Sequence, residues 1–220
     1  MVKKSPVPLT GFAGGPFTLA SYLVEGGPSR SYTTTETLMW GEPRPWRDLV
    51  DHLAAIALAS LRAQVEAGAA AVRIFESWGG AVSPADCGSY VLPALKVGVG
   101  AAPAARRPSH RVRGVRGELL QLFSDAAADV VTGVDWRVPL DVARRRVGPD
   151  VAPQGNLGPT ACFAPWEVLA RQAGAVLGAA GPTGHIFNLG HGVLPATAPA
   201  QLARLVDVVH SRTGSSGAGQ

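Results

Sequence analysis

Polar side chains able to bind or protonate a ligand stand at the ends of several apolar runs in this sequence. The clearest case is His191, which lies between Gly190 and Gly192 in the segment HIFNLGHGVLP, residues 185–195. Glycine neighbours leave the backbone uncrowded, and an imidazole can donate a hydrogen bond or carry a positive charge near neutral pH. The other polar residues at run ends are Ser77, Asp135, Asn156 and Asn188. All five are candidates for a ligand site.

Short apolar runs predict the strands that would position these residues. The runs cover residues 7–14, 70–80, 130–136, 150–159 and 184–192. Because they lack polar alternation, they are typical of strands buried on both faces of a parallel sheet. A sixth strand is expected within residues 106–116.

The stretches between the runs predict helices. From Arg47 to Ala67 one apolar stripe is formed by Leu49, Leu53, Ile56, Leu61 and Val65. A shorter helix before it has Thr33 and Glu36 at the spacing of a capping box. Further helices are expected over residues 117–128 and 165–177, and along the stripe of Leu202, Leu205, Val206 and Val209.

Alternating strands and helices predict βαβ units with right-handed connections. A doubly wound sheet and a barrel both satisfy this order, and the sequence has neither glycine-rich phosphate-loop motif. Polar residues drawn from many strand ends favour the barrel. The prediction is an α/β fold of the (β/α)8 TIM-barrel type that is incomplete, because six strands are counted where eight are needed.

Composition excludes several other classes of protein. The 220 residues are 46% hydrophobic and 16% charged, with a net charge of +4, which predicts a globular domain without a membrane span. Arginines cluster at 106–116 and 144–146 without interleaved aromatic residues, so nucleic-acid binding has weak support. Cys87 and Cys162 lie far apart and outside any metal-ligand spacing, which indicates a reducing, cytoplasmic location.

Five segments in order resemble the uroporphyrinogen decarboxylase family. They are GFAGGPFTLASYLVEGG (11–27), FESWGGAVSP (75–84), GVDWRVPLDVARRRVG (133–148), QGNL (154–157) and FNLGHGVLP (187–195). The similarity predicts one barrel domain over residues 1–212 and a disordered tail over 213–220.

The resemblance implies a (β/α)8 barrel, a homodimer, and removal of carbon dioxide from the four acetate side chains of uroporphyrinogen to give coproporphyrinogen, without a metal or organic cofactor. Tyr22 matches the family's active-site tyrosine and Phe75 its pocket-lining phenylalanine. Ser77 matches a substrate-contacting position, and His191 matches the histidine of the NLGHG motif. All four are therefore expected to contact the substrate.

The chemistry explains these residue types. Uroporphyrinogen carries eight carboxylates, so its pocket needs hydrogen-bond donors and positive charge. Gly190 and Gly192 are expected to let the backbone approach the flat macrocycle. Asp135 and Trp136 are expected to be structural, through a hydrogen bond between elements and through packing. Arg137 and the arginines at 144–146 are expected on a solvated helix face.

The sequence also departs from the family pattern. The resemblance places the arginine-rich substrate loop and the pyrrole-coordinating aspartate N-terminal to VPLTGFAGG, so no catalytic residue is assigned here. Residues 95–118 are rich in arginine where an apolar strand is usual, and Thr132 is an additional residue in its run. We expect a domain whose activity depends on an N-terminal partner segment.

Three alternatives remain at this point. The first is a non-catalytic barrel that binds a porphyrinogen or a full-length homologue. The second is a zinc-dependent methyltransferase of the same fold, which would need a His-x-Cys pair and a distant cysteine as ligands. The third is a nucleic-acid binder, suggested by the basic charge alone.

Overall fold

Parallel strands alternating with helices make up the computed structural model, which describes residues 5, 7–100, 114–115, 119–127 and 131–214. The strands are β1 Thr10–Gly14, β2 Ala71–Phe75, β3 Gly114–Val115, β4 Val131–Val134, β5 Ala152–Leu157 and β6 Ile186–Leu189. The α-helices are α1 Pro16–Glu25, α2 Thr33–Gly41, α3 Pro43–Glu66, α4 Pro84–Asp86, α5 Leu92–Gly100, α6 Leu120–Ala127, α7 Leu140–Val147, α8 Trp166–Ala180 and α9 Pro199–Thr213.

The described strands form two parallel sheets. β1 pairs with β2, and β3, β4, β5 and β6 follow one another in a second sheet. The register places Gly14 opposite Phe75 and Leu157 opposite Leu189. Each of the five predicted runs contains a strand, and β3 falls within the stretch where a sixth was expected. The predicted incomplete (β/α)8 barrel is confirmed.

Helix α3 shows how apolar spacing produces the core. Leu53 and Leu61 are buried as predicted, but Ile56 is 52% exposed. At about 100° per residue, the buried stripe is centred between Leu53 and Leu61 and is filled by Val50 and Ala57, which leaves Ile56 on the solvent side. The inclusion of Ile56 in the stripe was therefore wrong.

The start of helix α2 also differs from its prediction. Thr33 does not cap the helix; the N-cap residue is Tyr32, which makes no side-chain cap and has a left-handed backbone with φ 51°. Glu25, at the end of α1, instead accepts hydrogen bonds from the Thr35 amide and hydroxyl, both at 2.9 Å. A carboxylate from the preceding helix thus satisfies one of the amides at the start of α2.

Three apolar clusters hold these elements together. The first joins α1, α3 and α5 to β1 and β2 around Phe17, Met39 and Trp46, which are almost entirely buried. The second surrounds α7, and the third lies between α8, α9 and β6.

Two predicted segments fall largely outside the described residues. Helix α9 ends at Thr213, so the predicted tail begins inside a helix and its residues 215–220 are not described. Of the arginine-rich stretch, residues 101–113 also lie outside the described ranges.

Candidate functional site

A cavity of about 610 Å³ lies at the carboxyl ends of β2, β4 and β6. Side chains from the ends of all three strands border it, as does one face of α9. Ligand sites of parallel barrels form at this end of the strands, so the cavity is the candidate site.

Strand β2 contributes alternate residues to the cavity. Arg73, Phe75 and Ser77 border it, while Ile74 and Glu76 between them are buried on the opposite face. This is the two-residue periodicity of a strand. The Arg73 guanidinium carbon lies 4.4 Å from the centre of the Phe75 ring.

Glu76 fixes the end of β2 against helix α1. Its side chain is fully buried and accepts hydrogen bonds from the amides of Phe17 and Thr18 and from the Thr18 hydroxyl. A Cβ on Gly15 would overlap its carboxylate, so only glycine fits there. The helix N-terminus favours this negative charge, and the contact sets the position of Ser77 next along the chain.

The turn after β4 supplies Asp135, Trp136 and Arg137. The Asp135 carboxylate accepts hydrogen bonds from the amide and the guanidinium of Arg137, each at 2.8 Å. The Arg137 guanidinium stacks on Trp136 at 3.8 Å. Arg137 is exposed to solvent as expected, but it lies in a turn beside the cavity, so its expected place on a helix was wrong.

The bond between elements at this point is made by Asn156. Its side-chain amide donates to the main-chain oxygens of Asp135, at 3.1 Å, and Val138, at 2.5 Å. Among the described residues, the Asp135 carboxylate binds only Arg137, within its own turn. The hydrogen bond between elements that was expected of Asp135 is accepted by its main-chain oxygen instead. Asn156 thereby holds the β4 turn against β5.

His191 lies in the loop after β6 and borders the cavity beside Trp136, with 6.0 Å between the two ring centres. A Cβ on Gly190 would lie 2.5 Å from the Trp136 amide nitrogen, and the Gly190 amide donates to Leu157 at 2.8 Å. Contact with the β4 turn by itself therefore requires glycine at position 190, which also borders the cavity. Gly192 has open space around its α-carbon.

The four predicted contact residues do not all border the cavity. Phe75, Ser77 and His191 do, whereas Tyr22 is absent from the lining. The Tyr22 ring is 45% exposed and lies 6.2 Å from the ring of Trp78, which borders the cavity. Trp78 thus lies between Tyr22 and the cavity.

Sequence reasoning missed Arg73, Trp78 and Phe12. The period-two alternation with Phe75 and Ser77 is a signal for Arg73. Phe12 is 63% exposed and lies 5.8 Å from Phe75, edge to face. Its position needed the pairing of β1 with β2, which the sequence does not show.

The two cysteines lie away from the cavity, in separate clusters. Burial raises the pKa of the Cys87 thiol to about 12 and also raises the pKa of Cys162. In the described part of the chain, no group of three His, Cys, Asp or Glu residues could hold a metal ion. The zinc methyltransferase alternative has no donor set among these residues.

Parallel strands with helices after them and a cavity at their carboxyl ends define an incomplete barrel of the (β/α)8 type, with a candidate ligand site at its mouth. A family model described as "Uroporphyrinogen decarboxylase (URO-D)" matches residues 1–212. The chain belongs to the uroporphyrinogen decarboxylase family.

Curated relatives carry the same name. The chain is 56% identical over 207 residues to uroporphyrinogen decarboxylase of Streptomyces coelicolor, covering 94% of this chain and 58% of the relative. It is 54% identical over 209 residues to that of Thermobifida fusca, with 94% and 58% covered. The chain thus spans about 58% of the length of these relatives.

Solved structures of lower identity share the fold. A methyltransferase from Methanosarcina mazei matches with a TM-score of 0.80 and 20% identity, covering 96% of this chain and 60% of its own. A B12-independent methionine synthase from a Shewanella species matches with a TM-score of 0.62 and 13% identity, covering 97% and 65%. At these identities the likeness concerns the fold alone. None of the helices in the described ranges has the length and apolar character to cross a membrane.

Proposed function

We propose that this chain takes part in removing the acetate carboxyls of uroporphyrinogen to give coproporphyrinogen. The supporting observation is the lining of the cavity, which combines aromatic side chains with hydrogen-bond donors. Phe75, Trp78 and Trp136 provide flat apolar surface, and Ser77 and His191 provide donors at its mouth. A porphyrinogen, whose pyrrole rings have flat faces and whose side chains end in carboxylates, matches that combination.

The reaction places specific demands on these groups. Protonation of the pyrrole α-carbon next to the acetate-bearing carbon turns the ring into a conjugated iminium ion, which is an electron acceptor. The bond to the carboxylate then breaks, its electron pair enters the ring, and carbon dioxide leaves. Protonation of the remaining methylene carbon and loss of the ring proton give a methyl group. Ser77 and His191 would donate hydrogen bonds that hold the reacting carboxylate out of the ring plane, so that the bond that breaks overlaps with the π system of the ring.

A second candidate function is binding without catalysis. Asp135 is the one carboxylic acid among the described lining residues, and both of its oxygens accept bonds from Arg137. No carboxylic acid of the described lining is then free to protonate the ring. This observation favours a porphyrinogen-binding barrel that is inactive by itself.

One pair of assays separates the candidates. The chain is incubated with uroporphyrinogen III without oxygen, and the products are oxidised and counted by their carboxyl number. Binding of uroporphyrin is followed by quenching of tryptophan fluorescence. Loss of carboxyls supports the decarboxylase, and binding without loss of carboxyls supports the second candidate. If the chain neither removes carboxyls nor binds uroporphyrin, both candidates are contradicted.

His191→Asn tests the site itself. A lost hydrogen bond to a charged ligand group costs about 1.5–3 kcal/mol, so we expect affinity to fall about 10- to 100-fold. His52→Asn, at an exposed position of α3, is the matched control and should bind as the unmodified chain does. Equal affinity for all three proteins would remove His191 from the site.

We further propose that the chain forms a homodimer in the cytoplasm. Exposed apolar side chains on the first three helices, Leu23, Trp40 and Ile56, offer surface for a partner. Both cysteines are buried free thiols, which suits a reducing compartment. Light scattering at several concentrations tests the dimer, and a constant monomer mass would contradict it.

A further inference from the structure

Arg73 occupies the interior of the cavity rather than its rim. It lies in the middle of β2, on the face that also carries Phe75 and Ser77. With a rise of about 3.3 Å per residue, it sits about 7 Å further from the mouth than Phe75. The Phe75 ring, 4.4 Å away, supports its guanidinium from one side.

The guanidinium of Arg73 has no counter-ion in the described part of the chain. Its Nε is buried without a hydrogen-bond partner, and burial lowers its pKa to about 10. By contrast, Arg137 pairs with Asp135 and Arg145 pairs with Asp141. Arg144 donates to the carbonyls of Thr183 and Gly184.

Such a cation is costly to keep. A guanidinium removed from water without an acid beside it destabilises the fold, and an apolar residue would suit the strand better. Arg73 nevertheless faces an open cavity large enough for a ligand. An anionic group entering that space would supply the missing partner, and the planar guanidinium matches the two oxygens of a carboxylate.

We infer that Arg73 is a specificity-determining residue that binds one ligand carboxylate at the floor of the cavity. This inference rests on the proposed function, which supplies a ligand with a flat ring and carboxylates. Phe75 would contact a pyrrole ring of the ligand and would also hold the Arg73 guanidinium in position. Ser77 and His191 would meet carboxylates nearer the mouth.

The test is the affinity for uroporphyrin III, measured on the full chain by quenching of tryptophan fluorescence. We expect Arg73→Gln and Arg73→Met to bind about tenfold more weakly or worse, as for a lost charge-assisted bond. Arg171→Gln removes the same charge from an exposed position on α8 and should leave affinity unchanged.

Thermal melting without ligand separates binding from a structural role. If Arg73 serves the ligand, the melting temperatures of Arg73→Gln and Arg73→Met equal or exceed that of the unmodified chain. A lower melting temperature with unchanged affinity would overturn the inference and make Arg73 a structural residue.

The failure of this inference differs from that of the proposed function. If the unmodified chain binds uroporphyrin and both Arg73 variants bind equally well, this inference alone is overturned. If the unmodified chain binds no porphyrin, the proposed function falls and this inference falls with it.

Discussion

Thr132 places a polar side chain in a buried strand. It is 1% exposed in the middle of β4, and its hydroxyl has no hydrogen-bond partner within the described residues. The strand pairs with β5, with Thr132 opposite Pro153. Thr132 is thus part of the regular sheet, and an unsatisfied hydroxyl is left in the core.

Replacing this hydroxyl should stabilise the protein. Thr132→Val keeps the shape of the side chain and removes the unpaired group, so we expect the free energy of unfolding to rise by about 1 kcal/mol. Urea denaturation followed by tryptophan fluorescence measures it. Thr35→Val is the matched control, because that buried hydroxyl donates to Glu25 and its loss should destabilise. If the free energy of unfolding rises in both variants, or falls in Thr132→Val, the Thr132 hydroxyl is not an unsatisfied group.

At the scale of elements, helix α2 depends on a carboxylate from its predecessor. Hydrogen bonding to the Thr35 amide, the largest cause, lowers the pKa of Glu25. The folded protein therefore binds this proton less readily than the unfolded chain. The stability from Glu25 is present above the pKa of an unfolded glutamate, about 4.3, and is lost as the pH falls through the lower folded value.

Glu25→Gln should therefore change how stability depends on pH. Near neutral pH we expect the variant to melt below the unmodified chain, because the amide gives up a charge-assisted bond. The difference between the two melting temperatures should become smaller as the pH falls from about 6 to about 3. Glu66→Gln, at the end of α3, is the comparison. A difference in melting temperature that stays constant over this pH range would show that the Glu25 carboxylate does not stabilise α2.

The elements differ in how far the sequence could predict them. The strands follow from their apolar runs, and the barrel follows from polar residues at the ends of those runs. The capping of α2 was missed because Glu25 lies ten residues before its partner Thr35, outside any local box. Ile56 was misplaced because the stripe of α3 includes small residues such as Ala57, which a search for large apolar residues overlooks.

The candidate site was predictable only in part, for a similar reason. Ser77 and His191 stand in segments with a family resemblance, and the fold brings both to one cavity. The role of Gly190 could not be predicted, because it depends on the backbone of Trp136, more than fifty residues earlier in the chain. Arg73 was overlooked because a lone arginine in an apolar run has no local partner to mark it.

At the scale of the whole molecule, four strands have an unpaired edge among the described residues. β1 and β2 pair only with each other, and β3 and β6 lie at the two ends of the second sheet. Unpaired edges accept further strands readily. Curated relatives are longer, since the chain covers 58% of the Streptomyces coelicolor protein. We therefore expect these edges to accept additional polypeptide from the part of such a protein that this chain does not match.

Mixing provides the test of this expectation. The part of the Streptomyces coelicolor protein that this chain does not match is added to the chain, and both complex formation and loss of carboxyls from uroporphyrinogen are measured. We expect a complex and a gain in activity, because the added strands would close the cavity against water. The His191→Asn chain should form the same complex with less activity. A mixture that shows neither a complex nor a gain would contradict the expectation.

The separate burial of the two thiols has a practical consequence. Cys87 belongs to the cluster under α1 and α3, and Cys162 belongs to the cluster between α8 and α9. A thiol hidden from water reacts with an alkylating reagent only when its surroundings open. Brief exposure to iodoacetamide at rising urea, followed by mass analysis of each peptide, would therefore report on the opening of each half of the molecule by itself. Halves that open together would be labelled at one urea concentration, whereas independent halves would be labelled in sequence.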